Sequence, residues 1–432
     1  MKIISEYTLH CGEKIAVGKG RDESLGRAAV VNVHDVVRTK FYGFGAALTE
    51  AAAYTYAQMS DENKKRYLEM IFGKSGLDYR ICRICIGSSD FSLGDHVYIS
   101  EGDETLETFD LGTDKDYVIP MARDVLSYRS GDVKFFASPW SPPAFMKDSH
   151  SRIGGRLLPE YYGLYAGYIC RFIEEYAKEG IKISAVTPQN EPENGKGWET
   201  CLYSTEEEAA YIRVLRKTLR EKGLDTRILC WDQNRHRMFD RAVGIYERCS
   251  DDVDGLAFHW YSGGGCFEDI PLLRELYPDK VIIESEFTNS DKNYFGRYTD
   301  ELRDVISAGV NAVTEWNALL NEKGMPAHNR DWGCISPLHY DRGRSELYKS
   351  VNYDEIFMFS HFIDAGSEIL RTSVTDRAIK TAAVKNPDGS YVTEISNLGD
   401  TDKNVCLRLG GTEISIVLPG KTDTSLVIRA DD

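Results

Sequence analysis

The chain has 432 residues, 42% of them hydrophobic, and carries a formal net charge of −16. This length exceeds one small domain and suits an α/β barrel with an additional domain. The negative charge would repel DNA or RNA, so we expect no nucleic-acid partner. The first residues lack the apolar run of a signal peptide, and no run of about 18 apolar residues could span a bilayer. We therefore predict a cytoplasmic protein without a membrane span.

Ten cysteines are scattered along the chain, and without an export signal we expect reduced thiols. Cys82 and Cys85 form a CxxC, but they lie in a strand-like apolar run without a second cysteine pair or a histidine cluster. This context does not favour a metal or redox site. The cysteines are Cys11, Cys82, Cys85, Cys170, Cys201, Cys230, Cys249, Cys266, Cys334 and Cys406.

In chain order, three short strand-like segments come first, EYTL, KIAVGK and AAVVNVH, all within residues 1–35. Eight short apolar runs follow, each ending in polar or aromatic residues. Such runs are typical of parallel strands that are covered on both faces. They lie at 41–48, 79–87, 133–140, 183–191, 227–234, 255–261, 280–287 and 308–316.

Helical patterns separate these runs, with clear examples at 60–72, 159–180 and 204–223. The last of these has the strongest signals, because Ser204 and Glu207 match a capping box and Gly223 marks an end. Eight strands that alternate with helices predict a (β/α)8 barrel.

Apolar and polar residues alternate from about residue 366 to 430, with turn signals such as NPDG at 386–389. This pattern predicts an antiparallel β-sandwich. We expect the first strands to pair with it, so that the barrel is inserted into a discontinuous domain. The predicted boundaries are 1–35 for the N-terminal strands, 36–362 for the barrel and 363–432 for the rest of the sandwich.

Carboxylates, amides and indoles cluster where the predicted strands end, which is the active-site face of a barrel. The fourth strand ends in QNEPE with Glu191, and the seventh ends in ESE with Glu286. Two carboxyl groups across a barrel mouth can hydrolyse a glycosidic bond, with retention at about 5–5.5 Å separation and inversion at about 6.5–9.5 Å. Glu284 lies two residues before Glu286, on the same strand face, and stays an alternative on this pattern alone.

The chain resembles glycoside hydrolase family 30, which includes lysosomal glucosylceramidase and several bacterial β-glycosidases. The matching blocks run along nearly the whole chain in order: FYGFGAALTEAAA, RICIGSSDFS, FASPWSPPAFMK, AVTPQNEPE, FHWYSG, IIESEF, TEWNALLNEKG and FSHFIDAG. The resemblance implies a (β/α)8 barrel with a β-sandwich built from both chain ends. It also implies a carbohydrate substrate, no cofactor and a bacterial source.

The resemblance also implies roles for single residues. Glu191 of the Asn-Glu-Pro motif would be the acid/base, and Glu286 of the Ser-Glu pair the nucleophile, which favours it over Glu284. Arg83 would keep Glu286 ionised or form a structural ion pair, and His259 would support the site or pack in the core. The residues implied to bind the sugar are Asp90, Trp140, Asn190, Tyr261, whose hydroxyl would also contact the nucleophile, and Trp316.

These features predict a retaining β-glycosidase that acts in an exo manner on β-glucosides or β-xylosides of short oligosaccharides or glycoconjugates. We expect the charge of Glu286 to raise the pKa of Glu191, as an acid catalyst requires. An endo-acting xylanase or β-1,6-glucanase stays an alternative, because residues 321–333 match the family less well.

Two other classes are less favoured. A non-catalytic carbohydrate-binding protein would lack one of the two carboxylates, and a metal-dependent hydrolase would need clustered His and Asp ligands, whereas the nine histidines are dispersed. We expect no metal, and a homo-oligomer stays open.

Overall fold

The computed structural model describes residues 1–10, 12–262, 266–290 and 292–430. Cys11 lies outside the described residues, as does Gly263 of the FHWYSG block. The other nine cysteines are free thiols. Among the described helices, none combines the length and the apolar character of a membrane span. The cytoplasmic location, the bacterial source and the homo-oligomer stay predictions.

Four strands open the chain and belong to a β-sandwich: β1 (Lys2–His10), β2 (Glu13–Ile15), β3 (Gly18–Lys19) and β4 (Ala29–Lys40). A closed barrel of eight parallel strands follows. Its strands are β5 (Gly43–Ala47), β6 (Ile81–Ile86), β7 (Lys134–Pro139), β8 (Ile183–Val186), β9 (Arg227–Asn234), β10 (Gly255–His259), β11 (Val281–Glu286) and, after the two-residue strand β12 (Asn289–Ser290), β13 (Ala312–Glu315).

Each of the eight predicted runs contains one barrel strand, which confirms the (β/α)8 fold. The fourth run, 183–191, overshoots its strand, because β8 ends at Val186. Beyond it the chain leaves the sheet geometry, and Glu191 takes a left-handed backbone conformation with φ 50°.

Helices cover the outside of the barrel. They are α1 (Glu50–Ala57), α2 (Asp61–Phe72), α3 (Val118–Tyr128), α4 (Tyr162–Lys178), α5 (Thr205–Glu221), α6 (Met238–Cys249), α7 (Asp269–Leu276) and α8 (Tyr298–Ala308). Short 3₁₀ turns lie at Glu23–Leu25, Gly112–Lys115, Ala144–Met146, Pro159–Tyr161, Arg235–Arg237 and Ser250–Asp252.

The capping box of α5 forms as predicted. The Ser204 hydroxyl accepts from the Glu207 backbone N–H at 3.2 Å, and the Glu207 carboxylate accepts from the Ser204 N–H at 2.6 Å. The predicted helix at 159–180 instead divides, because Pro159 begins a 3₁₀ turn and the α-helix starts only at Tyr162.

Short elements connect the barrel to the second domain: β14 (Leu320–Asn321), β15 (Cys334–Ile335), β16 (Leu338–Asp341), β17 (Glu346–Lys349) and α9 (Asn352–Ser360). β12 pairs with β15 in an antiparallel ladder. This pairing ties the segment after the eighth barrel strand to the segment after the seventh.

The sandwich is completed by β18 (Glu368–Val374), β19 (Ile379–Lys385), β20 (Tyr391–Asn397), β21 (Lys403–Leu409), β22 (Thr412–Leu418) and β23 (Thr422–Arg429). These strands and the first four form one sheet in the order β2-β1-β23-β20-β19-β18-β4-β21-β22-β3. The expected pairing of the two chain ends is therefore present, and the exact domain boundaries stay predictions. The apolar core of the sandwich includes Val31, Leu370, Ile395, Val405, Leu407, Ile416, Leu426 and Ile428.

Candidate active site

A cavity of about 290 Å³ opens at the carboxyl ends of the barrel strands. All seven side chains predicted to be catalytic or sugar-binding line this one cavity, and Arg83 and His259 lie fully buried beneath it. The seven are Asp90, Trp140, Asn190, Glu191, Tyr261, Glu286 and Trp316.

Glu286 is the last residue of β11 and is held by Tyr261, which follows β10, and by Arg83 on β6 across the barrel. Its Oε1 accepts from the Tyr261 hydroxyl at 2.9 Å, and its Oε2 accepts from Arg83 Nη1 at 2.5 Å. Both donors fix the position of the carboxylate, and the contact with Arg83 is a charge-assisted hydrogen bond. The predicted contact between Tyr261 and the nucleophile candidate is thus present in the structure.

Arg83 lies in the barrel interior on β6 with no exposed surface. Its Nη2 donates to Asn190 Oδ1 at 2.8 Å and to Asp232 Oδ2 at 2.9 Å. Burial alone would lower the pKa of Arg83, but Asp232 and Glu286 raise it, so the guanidinium stays charged. Arg83 therefore forms a buried ion pair with both Asp232 and Glu286, and its effect on the ionisation of Glu286 stays a prediction.

Glu191 follows β8 and is fixed by its backbone and its side chain. Its N–H donates to the Asp232 carbonyl at 2.9 Å, and its Oε2 accepts from Asn194 Nδ2 at 2.9 Å. Burial raises the pKa of Glu191, but His259, Asn194 and Arg83 lower it more strongly. The expected raised pKa is therefore wrong for the free enzyme, because His259 presents a positive charge that the sequence did not reveal.

Asp232 is a functional residue that sequence reasoning missed. It lies in β9, is fully buried and accepts hydrogen bonds from Arg83, from His259 Nε2 at 3.1 Å and from Ser285 Oγ at 2.6 Å. These donors hold its pKa well below the usual range, although burial acts in the opposite direction. The sequence did contain an indication of this role. The run RILCWDQN ends in an Asp and two amide side chains, and other predicted strands that reach the active-site face also end in carboxylates and amides.

Two indoles form an apolar wall of the cavity. The ring centroids of Trp140 and Trp316 lie 5.2 Å apart with the planes 23° from parallel. The Arg83 guanidinium lies 4.9 Å from the Trp140 centroid and 5.6 Å from that of Trp316. A flat aromatic surface beside two carboxylates matches a sugar, which has apolar C–H faces and a polar edge.

Comparison with known proteins decides the family. The profile of the glycosyl hydrolase family 30 TIM-barrel domain matches residues 41–363, and that of the family 30 beta sandwich domain matches residues 366–426. The chain belongs to glycosyl hydrolase family 30. It is an O-glycosyl hydrolase that acts on carbohydrate, rather than a non-catalytic sugar-binding protein.

Similar proteins cover almost the whole of this family 30 chain. The lysosomal acid glucosylceramidase of Mus musculus is 28% identical over 394 residues, which span 84% of this chain and 76% of the relative. The structure of SrfJ from Salmonella typhimurium aligns with a TM-score of 0.87 at 28% identity, covering 99% and 100% of the two chains. The structure of an endo-β1,6-glucanase aligns with a TM-score of 0.86 at 25% identity, covering 98% of each.

One side of the family 30 cavity is formed by Arg330, from the segment that matched the family less well. Its guanidinium forms an ion pair with Asp90 and lies 3.5 Å from the Trp332 ring centroid. Burial raises the pKa of Asp90 to about 6, although Arg330 acts to lower it. The same segment is held in place by His328, whose Nε2 lies 2.8 Å from Glu199 Oε1.

Glu284 is separated from the family 30 site. It is fully buried, lies 3.9 Å from Arg235 Nη1 and does not line the cavity. The register between β10 and β11 shifts here, since Phe258 pairs with Glu284 but His259 pairs with Glu286. The two glutamates therefore face different surroundings, which the regular alternation of a strand does not predict. Burial and the neighbouring Glu301 raise the pKa of Glu284 well above its usual value.

Glu191, His259 and Glu286 each offer a ligand atom, and these three atoms lie within 4.8 Å of one another. Such a group could hold a divalent cation, although its members are far apart in sequence. A cation bound there would occupy both carboxylates that glycoside hydrolysis needs free. The group therefore fits two-carboxylate chemistry better than a resident metal.

Proposed function

We propose that this enzyme is a retaining β-glycosidase in which Glu286 attacks the anomeric carbon and Glu191 is the acid/base. The observation that carries the proposal is that a carboxylate oxygen of Glu191 lies within 4.8 Å of one of Glu286. Retaining enzymes hold their two carboxyl groups about 5–5.5 Å apart, and inverting enzymes about 6.5–9.5 Å, to admit a water.

The surroundings of the two carboxylates support this division of roles. Arg83 and Tyr261 both donate to Glu286, which fixes the orientation of its carboxylate for attack. Asn190 uses its carbonyl oxygen to accept from Arg83, which leaves its amide N–H groups for the sugar 2-hydroxyl. We assign Asp90 and Trp140 to other sugar hydroxyls and Trp316 to the apolar face of the ring.

Replacement of Glu286 by Gln tests the nucleophile. We expect turnover of an activated aryl β-glycoside to be abolished, because an amide cannot form the glycosyl-enzyme. Glu284→Gln is the matched control on the same strand, and we expect it to keep activity, because Glu284 does not line the cavity. Full activity of the Glu286→Gln enzyme would contradict the assignment of Glu286 as the nucleophile.

Replacement of Glu191 by Ala tests the stereochemical course. The small anion azide needs no general base, so it should restore turnover of an activated substrate and give the β-glycosyl azide. An α-glycosyl azide, identified by proton NMR of the product, would contradict retention.

For the substrate we propose exo action on β-glucosides or β-xylosides. The cavity, at about 290 Å³, lies at the small end of ligand sites, and the ion pair of Arg330 with Asp90 borders it. The mouse relative is named as a glucosylceramidase, which also favours a glucosyl group. A panel of nitrophenyl β-glycosides tests this, and we expect the glucoside or xyloside to have a higher kcat/KM than the galactoside and fucoside.

A second candidate is endo action on a β-1,6-glucan, favoured by the 98% coverage of a solved endo-β1,6-glucanase. Digestion of linear β-1,6-glucan separates the two. An exo enzyme releases monosaccharide from the first time point, whereas an endo enzyme lowers viscosity early and yields a ladder of oligosaccharides.

A further inference from the structure

His259 lies between the two catalytic carboxylates at the end of β10. It is fully buried, its Nδ1 is 3.5 Å from Glu191 Oε1, and its Nε2 is 3.8 Å from Glu286 Oε2. Core packing alone does not explain this position, because an imidazole with two polar edges faces carboxylates on both sides.

Asp232 fixes the orientation of this imidazole. The Asp232 carboxylate can only accept hydrogen bonds, so His259 Nε2 carries the proton and donates to Oδ1 at 3.1 Å. Arg83, Ser285, Ser138 and Thr187 also donate to Asp232, which keeps it ionised. The remaining nitrogen, Nδ1, therefore faces Glu191 and has no hydrogen-bond partner among the described residues at ordinary distance.

A nitrogen that faces a carboxylate oxygen in a buried site can share one proton with it. We propose that His259 holds the proton that Glu191 delivers to the leaving group, and takes it back when water attacks the glycosyl-enzyme. This inference rests on the proposed roles of Glu191 and Glu286. His259 then acts through Glu191, as a positioning and proton-holding residue.

The charges around His259 support the placement of the proton. Asp232 faces it from β9, Glu286 from β11 and Glu191 from the segment after β8, while Arg83 contacts the first two. Burial would lower the pKa of His259, but Glu286, Asp232 and Glu191 raise it to about 9. The lowered pKa of Glu191 agrees, because the proton is on the imidazole in the free enzyme.

The first displacement then runs as follows. A Glu286 oxygen forms a bond to the anomeric carbon as the glycosidic C–O bond breaks, and the leaving oxygen takes a proton from Glu191. This proton reaches Glu191 from His259 Nδ1 before it is transferred, so Glu191 ends the step as a carboxylate. The products are an uncharged glycosyl ester at Glu286, a Glu191 carboxylate and a neutral imidazole, whose Nε2–H still donates to Asp232.

The second displacement reverses the proton movement. A water oxygen bonds to the anomeric carbon, the ester C–O bond breaks, and the water proton passes through Glu191 to His259 Nδ1. Formation of the ester removes the negative charge of Glu286, so the imidazolium loses a stabilising neighbour at the moment its proton is needed. Release of the sugar restores that charge and draws the proton back.

Histidine NMR tests this coupling directly. In the intact enzyme labelled with ¹⁵N-histidine, the His259 signals are assigned by their loss in His259→Gln. We expect imidazolium signals at neutral pH that convert near pH 9, and neutral signals at the same pH once a 2-deoxy-2-fluoroglycoside has trapped the nucleophile. If mass spectrometry detects no trapped ester, the proposed function fails; if the ester forms and His259 stays charged, only the present inference fails.

The dependence of kcat/KM on the leaving group gives a second test. A purely structural role of His259 would not produce the difference between substrates that we expect. A general acid contributes about 10²–10⁴-fold, and only where the leaving group needs a proton. For His259→Gln, which keeps an N–H for Asp232, we expect kcat/KM to fall by about 10²-fold with an alkyl β-glycoside. With the 2,4-dinitrophenyl β-glycoside it should change less than about threefold.

His259→Asn is the second variant in case the first does not fold, because its amide can face Glu191 but has no transferable proton. Adding either substitution to Glu191→Gln should cause no further selective loss on the alkyl substrate, since the relay is already broken. Equal losses on both substrates in the single variants would overturn the proposal.

Discussion

Arg83 carries the positive charge on which the buried carboxylates depend. Replacing it by Met would leave Asp232 and Glu286 without their shared partner. Removing one partner of a buried ion pair costs about 3–5 kcal/mol, so we expect the free energy of unfolding, measured in urea, to fall by this amount. Activity should fall at least about 10²-fold, because the nucleophile would lose its charge stabilisation.

Arg80→Met is the matched control for that variant. Arg80 precedes β6 and pairs with Asp78 at 3.0 Å, away from the cavity. We expect lower stability with an unchanged kcat. An equal loss of activity in both variants would mean that Arg83 acts only through the stability of the barrel.

Asp90 makes the activity dependent on pH. Its pKa of about 6 lies above the ordinary value of 3.8, so the carboxylate paired with Arg330 is lost as the pH falls through 6. We expect kcat/KM to fall as the pH drops below about 6. In Asp90→Asn, kcat/KM should be lower above pH 6, and the fall below pH 6 should be absent. The free energy of unfolding changes in the opposite direction to the activity. Ionised Asp90 lowers it above pH 6, and this loss of stability disappears as the pH falls toward 3.8.

Asp114 provides the control for this pH profile. Burial raises its pKa to about 7, but it bonds the hydroxyls of Tyr98 and Tyr176 and does not line the cavity. We expect Asp114→Asn to leave the acidic limb in place. A limb that persists in Asp90→Asn would assign it to another group.

For single residues of the site, the sequence predicted which side chains take part better than it predicted which of them carry a charge. Glu191 and Glu286 were found because each lies at the end of a predicted apolar run and matches a family motif. Asp232 and the proton on His259 were not, because their significance arises from contacts among four strands. Arg330 was missed because the pattern of its segment is irregular, and only the fold brings it to Asp90.

At the scale of single elements, helix α5 depends on a local cap. Its Ser204 and Glu207 satisfy each other's backbone N–H groups, while the α2 cap, Ser60, accepts only from the Asn63 N–H at 3.3 Å. Ser204→Ala should lower the free energy of unfolding by about 1 kcal/mol or more. Ser60→Ala should lower it by less, and equal losses in urea titrations would show that the reciprocal bond adds nothing.

Most strands and helices could be predicted, because their signals lie in short stretches of the sequence. Buried parallel strands leave continuous apolar runs, so all eight could be located from sequence. Strand ends and shifts in register were not predictable, because the end of β8 at Val186 and the shift at Phe258 depend on neighbouring strands. These two irregularities turn Glu191 and Glu286 into the cavity and Glu284 away from it.

At the scale of the whole molecule, Arg303 joins the barrel to the sandwich. It lies on α8 with 1% of its side chain exposed, and its Nη1 donates to Ser396 Oγ at 2.7 Å. Ser396 in turn donates to Asp423 at 2.6 Å. The inserted barrel predicted from sequence is therefore fastened to the second domain by a buried polar network that the sequence did not indicate.

Arg303 also pairs through its Nε with Asp304 at 3.0 Å and lies 3.9 Å from Asp423. Replacing Arg303 by Met would leave both carboxylates with fewer partners at this interface. We expect the melting temperature to fall by several degrees, corresponding to roughly 3 kcal/mol, in calorimetry. Arg408→Met is the control, since its ion pair with Glu413 is exposed and should contribute less than about 1 kcal/mol. A similar shift in both variants would contradict the role of Arg303.

The pairing of the two chain ends has a consequence for biosynthesis. Thr8 and Thr424 share a hydrogen bond across 416 positions, and β4 lies between β18 and β21. A ribosome makes β1–β4 before the barrel and their partner strands after it, so the barrel can close while Val31 and Val33 of β4 still expose apolar surface to solvent or to a chaperone. Strands β1 and β4, made before the barrel, are thus among the last elements to acquire their native neighbours.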